Sequence, residues 1–171
     1  MRKTVFRFQF MWDYDKEEAW LNAMSAKGWQ LVQPGVFFFK FEQGEPNRYR
    51  YAIEFLDDAG RKADDYLTFL EETGIEIVGR KLRWVYYRKA DDGKPFEIFS
   101  DAESKTIHLK RMLTLLVVFL CLEAFFAVRN WIDYITKPDA RTLTMAVLFT
   151  VLTGLFLFGT YHIRRRMRAL K

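Results

Sequence analysis

LTMAVLFTVLTGLFLFGTYHI, Leu143 to Ile163, is 21 residues without one Asp, Glu, Lys or Arg. As a helix rising about 1.5 Å per residue it covers about 30 Å, the thickness of a bilayer's hydrocarbon core. Upstream, MLTLLVVFLCLEAFFAV, Met112 to Val128, is 17 residues with one charge, Glu123. The polar stretch between them, RNWIDYITKPDART, contains Pro138, which breaks a helix. The two runs predict a transmembrane hairpin over 112–163, with spans at about 112–128 and 143–163.

Charge divides the chain at the same place. Residues 1–110 carry 18 Lys and Arg against 19 Asp and Glu, a net −1, and residues 111–171 carry 9 against 3, a net +6. The basic excess is therefore not a nucleic-acid footprint, which needs a positive surface on the folded domain. It lies in the tail 164–171 (Arg164, Arg165, Arg166, Arg168, Lys171) and, before the first span, in Lys105, Lys110 and Arg111. These outnumber Arg129, Lys137 and Arg141 around the loop. Positive flanks stay inside, so the expectation is a two-pass protein of the cell membrane with both termini cytoplasmic. The opening MRKTVFRFQFMWDYDKEE begins basic, but charges interrupt it before an apolar run can form, so no signal peptide is expected. The single cysteine, Cys121, lies inside a span, so no internal disulfide can form.

The first 99 residues read as a cytoplasmic α+β domain. Thr4 to Trp12 alternates with a period of two and predicts a strand. Asp15, with Glu18 three residues on, suggests a capping box for a helix carrying Trp20, Leu21 and Met24 and ending at Lys27-Gly28. Strands are expected at 29–33, 36–42 and 48–55, a second helix at 61–73 with Gly74 as its cap, and strands at 75–78 and 82–88. A loop (90–95) and a short extended piece (96–99) follow. Ser100 or Asp101 would cap a juxtamembrane helical stalk, 100–111, that runs into the first span. An offset of 46 places Leu21 on Leu67, Gly28 on Gly74, Leu31 on Ile77, Val32 on Val78 and Phe41 on Tyr87. This predicts a doubled strand–helix–strand–strand unit, with two helices on one face of a mostly antiparallel sheet.

Lys3-Thr4-Val5-Phe6, the passage Leu21 to Val32 with Lys27-Gly28-Trp29, Val78-Gly79-Arg80 and Trp84 to Lys89, followed by the membrane part, resemble the bacterial domain of unknown function 2812 family. The resemblance implies a membrane protein without an assigned activity, often encoded beside a PadR-type transcriptional regulator, and hence a role in regulation or stress response. The doubled unit is also similar in architecture to GyrI-like drug-binding domains. Fold alone does not assign function.

Residues 1–107 contain neither His nor Cys, and the chain has no zinc spacing or glycine-rich phosphate loop. No enzyme, metal or cofactor is expected. Asp57, Asp58, Asp64 and Asp65 surround a turn and helix start, where solvated carboxylates are common. The sheet is the better binding candidate. If Phe6, Phe8, Phe10, Phe37, Phe39, Phe41, Tyr49, Tyr51 and Ile53 face the helices, the other face carries Arg7, Gln9, Lys40 and Arg88, together with the candidate ligand residues Phe38, Glu42, Arg50, Glu54, Trp84 and Tyr86. Rings and a carboxylate suit a small hydrophobic or cationic ligand, or a protein partner. Glu123 is an intramembrane carboxylate, with Thr150 or Thr153 as the expected partner, and Thr150 and Gly154 form a small-residue pair suited to close helix contact, including a homodimer through the spans. The reading is a membrane-anchored sensor or interaction module with a regulatory task. The alternative is an accessory subunit of a membrane transport or immunity assembly that acts through the hairpin.

Overall fold

The chain divides into two units, Met1–Ser100 and Asp101–Lys171, and the computed structural model describes residues 1–56, 61–94, 96, 98 and 102–170 of it. In the first unit the order is β1 (Arg2–Phe6), α1 (Tyr14–Ala26), β2 (Trp29–Pro34), β3 (Phe38–Gln43), β4 (Tyr49–Phe55), α2 (Arg61–Glu72), β5 (Glu76–Lys81) and β6 (Trp84–Ala90), with one 3-10 turn, Met11–Asp13, ahead of α1. The β-α-β-β unit does occur twice. Both copies pair their strands antiparallel in the same order, β1-β3-β2 and β4-β6-β5.

The offset of 46 holds in detail. β2 and β3 slip register between Leu31 and Gln33, and β5 and β6 slip between Ile77 and Gly79. A bulge thus sits on Val32 and again on Val78. Each helix is followed by a left-handed glycine, Gly28 at φ 80° and Gly74 at φ 84°, a conformation open to glycine at little cost.

The strands form two three-stranded sheets rather than one continuous sheet. The reason lies where β2 meets β5. Pro34 has no N–H to extend a ladder, and its ring is so close that a Cβ on Gly79 would lie 2.8 Å from Pro34 Cδ. The first half buries Leu21, Met24, Leu31, Phe39 and Phe41. The second half buries Leu56, Leu67, Leu70, Val85 and Tyr87, with Tyr66, Ile75, Ile77, Phe96 and Ile98 packed around them.

Two local expectations are corrected. The strand predicted over 4–12 stops at Phe6, because β3 offers partners only from Phe38 onward. Beyond it, Phe10 and Trp12 stack at 4.6 Å and only Trp12 is buried, while Phe6 and Phe8, assigned to the helix-facing side, are exposed at 80% and 62%. The capping box at Asp15 and Glu18 does not form. Asp13 holds the N-cap position and pairs with Lys16 at 2.7 Å, and the Glu18 carboxylate is used elsewhere, by the N–H of Ile53 at 3.1 Å. Asp57, Asp58 and the proposed caps Ser100 and Asp101 lie outside the described residues.

The second unit is a helical hairpin, α3 (Ala102–Thr136) and α4 (Ala140–Ala169). Both helices are long and apolar enough to cross a membrane, and only 17% and 11% of their most apolar windows are buried. Phe119 stacks on Phe156 at 5.6 Å and Phe126 on Phe149 at 5.3 Å. Met112, Leu116, Ala146 and Ile163 are buried, whereas Phe125, Val128, Ile135, Val151, Leu157 and Phe158 are exposed, unlike the faces of a helix in a soluble core.

Candidate functional site

α1 seals a sheet edge before it builds a site. β4 is an edge strand, and its groups at Tyr49, Tyr51 and Ile53 point away from β6. Ser25 Oγ donates to Tyr49 O at 2.7 Å. Asn22 accepts from Tyr51 N–H at 2.9 Å and donates to Tyr51 O at 3.0 Å. Glu18 accepts from Ile53 N–H. Glu18, Asn22 and Ser25 stand at i, i+4 and i+7, one face of the helix, so a single stripe of polar side chains continues the ladder. This is why α1 carries polar residues where a core helix would be apolar.

On its adjoining face α1 brings Glu17 inward, only 5% exposed. The Glu17 carboxylate accepts a hydrogen bond from the Tyr86 hydroxyl. The ammonium of Lys81 lies 3.8 Å from the same oxygen and 5.4 Å over the ring of Phe39. Phe39 in turn meets Tyr86 at 6.2 Å and Trp20 at 5.1 Å, and the Arg7 guanidinium covers Trp20 at 4.5 Å. The cluster therefore draws on α1, β3, β5 and β6, where the two sheets adjoin. Burial first, then the negative charge of Glu17, pushes the Tyr86 phenol well above its ordinary value, so it stays a donor.

A second buried carboxylate, Glu54 at 2% exposure, accepts from Tyr87 at 3.0 Å and Tyr66 at 3.2 Å. Burial and Glu54 raise Tyr87 likewise. Tyr51 is pushed up to about 12, chiefly by burial; its hydroxyl donates to Gln30 and accepts from Leu31 N–H.

The six candidate ligand residues do not share an open face. Phe38 and Glu42 stand on the first sheet, Arg50, Glu54, Trp84 and Tyr86 on the second. Glu42 is exposed and Phe38 half-buried, and Arg50 pairs with Asp91 at 3.0 Å. Glu54, Trp84 and Tyr86 are buried, Trp84 between Phe55 at 5.2 Å and Tyr14 at 5.6 Å. β4 is buried at five consecutive positions and so has no solvated side for alternation to mark. Only Tyr86 of the six joins the Glu17 cluster. Sequence reasoning passed over Glu17, Phe39 and Lys81 as site residues. One signal for Glu17 was present: it lies at i on the stripe whose i+4 and i+7 are Leu21 and Met24, an acid on a core-facing row.

In the hairpin, Thr150 and Thr153 do not serve Glu123. Their hydroxyls donate to Ala146 O and Phe149 O, each at 2.7 Å, and Thr150 accepts from Trp131 Nε1 at 2.9 Å. A helical threonine bonds its own preceding turn more readily than a distant acid. Glu123 Oε2 is buried and has no hydrogen-bond partner among the described residues. A Cβ on Gly154 would meet nothing within 4 Å, so among the described residues the small-residue pair makes no close helix contact. Among the described residues no group of His, Cys, Asp or Glu is placed to hold a metal ion.

A family model described as "Protein of unknown function (DUF2812)" matches residues 13–121. The chain belongs to the DUF2812 family. The DUF2812 segment runs from the turn before α1 through β6 into α3, so it contains Glu17, Phe39, Lys81 and Tyr86 and leaves out β1 and α4. No curated protein and no solved structure matches the chain.

Proposed function

We propose that this DUF2812 protein is a two-pass membrane-anchored sensor, its termini cytoplasmic, whose first unit takes a hydrophobic cation at Glu17 and serves a regulatory task. The observation that carries the reading is the buried Glu17 carboxylate, held by Tyr86 and only loosely matched by Lys81 at 3.8 Å. A buried carboxylate is costly to leave uncompensated. The ammonium of Lys81 already stands where a ligand cation would, against a carboxylate and over an aromatic ring. A ligand with a delocalised charge and apolar body replaces it there, making more extensive ring contact than the ammonium. Lys81 is the last residue of β5, so its release reaches the β5–β6 turn, a surface for a partner such as a PadR-type regulator.

The test is thermal unfolding of the detergent-solubilised full chain with tetraphenylphosphonium as probe. The transition rises with probe concentration, the rise is lost in Glu17→Gln, and it is larger in Lys81→Met. No rise in either the native chain or Lys81→Met defeats the reading.

A second reading, an accessory subunit of a transport or immunity assembly, draws on one observation, the unpartnered oxygen of Glu123. An intramembrane acid without an internal partner is a contact for another helix. A protein that co-purifies from mild detergent, and is lost in Glu123→Gln, is the expected result.

A further inference from the structure

The two halves repeat the same sheet and treat its edge strand differently. β4 is covered by the Glu18, Asn22 and Ser25 row of α1. Its counterpart, β1, is not. Met1 O accepts from Gln43 N–H of β3 and Arg7 N–H donates to Phe37 O just ahead of it, so Lys3 and Val5 also face β3, and the backbone groups of Arg2, Thr4 and Phe6 point the other way. Among the described residues no side chain hydrogen-bonds to them. β1 is short and carries two cations, Arg2 and Lys3, but has few of the other devices that guard an edge. Its register with β3 is unbroken by a bulge, it contains no proline, and Lys3 is folded over Trp29 at 5.4 Å. Beside the edge stand Phe6, Phe8 and Phe37, at 80%, 62% and 57% exposure, with Phe8 stacked on Phe37 at 5.9 Å.

We infer that β1 is a dimerisation strand, and that its occupant is the β1 of a second copy of this chain, paired antiparallel about Thr4. The strand is self-complementary in that arrangement and not in the parallel one. A two-fold axis at Thr4 sets Arg2 opposite Phe6 of the second copy and Lys3 opposite Val5, so each cation meets an apolar or aromatic residue. Parallel pairing would set Arg2 against Arg2 and Lys3 against Lys3. The antiparallel interface is isologous and closes, giving a six-stranded sheet from two three-stranded ones. Five paired residues a side bury less than the roughly 1,200 Å² of a stable soluble dimer. The pairing therefore relies on confinement of both copies to one membrane, which raises their effective concentration. It rests in that respect on the membrane reading, whose own failure would show separately, as full-length protein recovered without detergent.

The test is oxidative cross-linking of full-length Thr4→Cys in a Cys121→Ala background, reconstituted in liposomes. Residues directly opposite in a bonded antiparallel pair lie about 5.5 Å apart at Cα, within disulfide reach. The expected product is a covalent dimer, absent from the control Phe69→Cys, which is exposed on α2. Thr4→Pro removes only an outward N–H and is expected to abolish cross-linking of a neighbouring Phe6→Cys to Arg2→Cys in mixed samples while leaving the unfolding temperature unchanged. Cross-linking no greater than the control overturns the inference, as does a dimer that survives Thr4→Pro. A thiol at position 4 that stays uncross-linked, but is shielded from maleimide in single-copy discs of anionic lipid, assigns the edge to lipid and overturns it too.

Discussion

The halves β1-α1-β2-β3 and β4-α2-β5-β6 share strand order, helix-ending glycine and bulge, yet they are built for different surroundings. The second strand set is buried nearly through β4 and the start of β6, and it holds three of the buried phenols, Tyr51, Tyr86 and Tyr87. The first set leaves β1 exposed along its length, apart from a half-buried Val5. The cause is α1. It belongs to the first half by sequence but spends its polar row on the edge of the second. Topology is thus duplicated while the solvent boundary is not: α1 reaches the edge of β4, and among the described residues no side chain of α2 hydrogen-bonds to β1.

Substitution at equivalent core positions tests whether the halves fold as one. Phe41→Ala and Tyr87→Ala, both at fully buried sites, are each expected to cost about 3–5 kcal/mol. Tryptophan fluorescence during denaturant unfolding of the solubilised full chain measures this, and a second transition in either variant would separate the halves. The edge asymmetry gives the next effect. Asn22→Ala, which strips both bonds from Tyr51, is expected to cost about 1–3 kcal/mol, whereas Thr4→Pro stays within about 0.5 kcal/mol. Equal effects would mean that α1 does not seal β4. At the junction of the sheets, Gly79→Ala drives a Cβ against Pro34 and is expected to cost about 1–2 kcal/mol, recovered in part by Pro34→Ala.

The smallest effect is alkaline. Tyr51, Tyr86 and Tyr87 all have folded values raised above the ordinary 10.0. Their contribution is therefore complete below pH 10 and is lost as pH rises, for Tyr51 between 10 and about 12. Near-ultraviolet circular dichroism should show a loss of tertiary signal in that window, flatter in Tyr51→Phe. Because the first half has Phe41 where the second has Tyr87, the loss should begin in the second half.

The repeat was legible because glycine after a helix and apolar spacing are local signals. So was the hairpin, whose helices extend the predicted runs at both ends. The face assignment was not. Alternation reports a strand with one wet side, and β4 has none at Tyr51 to Phe55. The strand read over Thr4 to Trp12 ends at Phe6, and its continuation over Arg7 to Trp12 failed for a related reason: propensity says that a segment will extend, and only a partner strand makes it a ladder. Glu17 was visible as an acid on an apolar row, but Lys81 lies 64 positions away in sequence and nothing local links them.

By itself the sequence determined the doubled β-α-β-β order, the glycine-marked ends of α1 and α2, and two apolar helices of bilayer length, since these follow from period, glycine and composition. Only the tertiary structure decided which edge is sealed, that the strands part into two sheets at Pro34 and Gly79, and that Glu17 meets Lys81 and Tyr86. Those depend on which distant segments come within a few ångströms, and burial of a charge or an edge is a property of neighbours rather than of the residue that bears it.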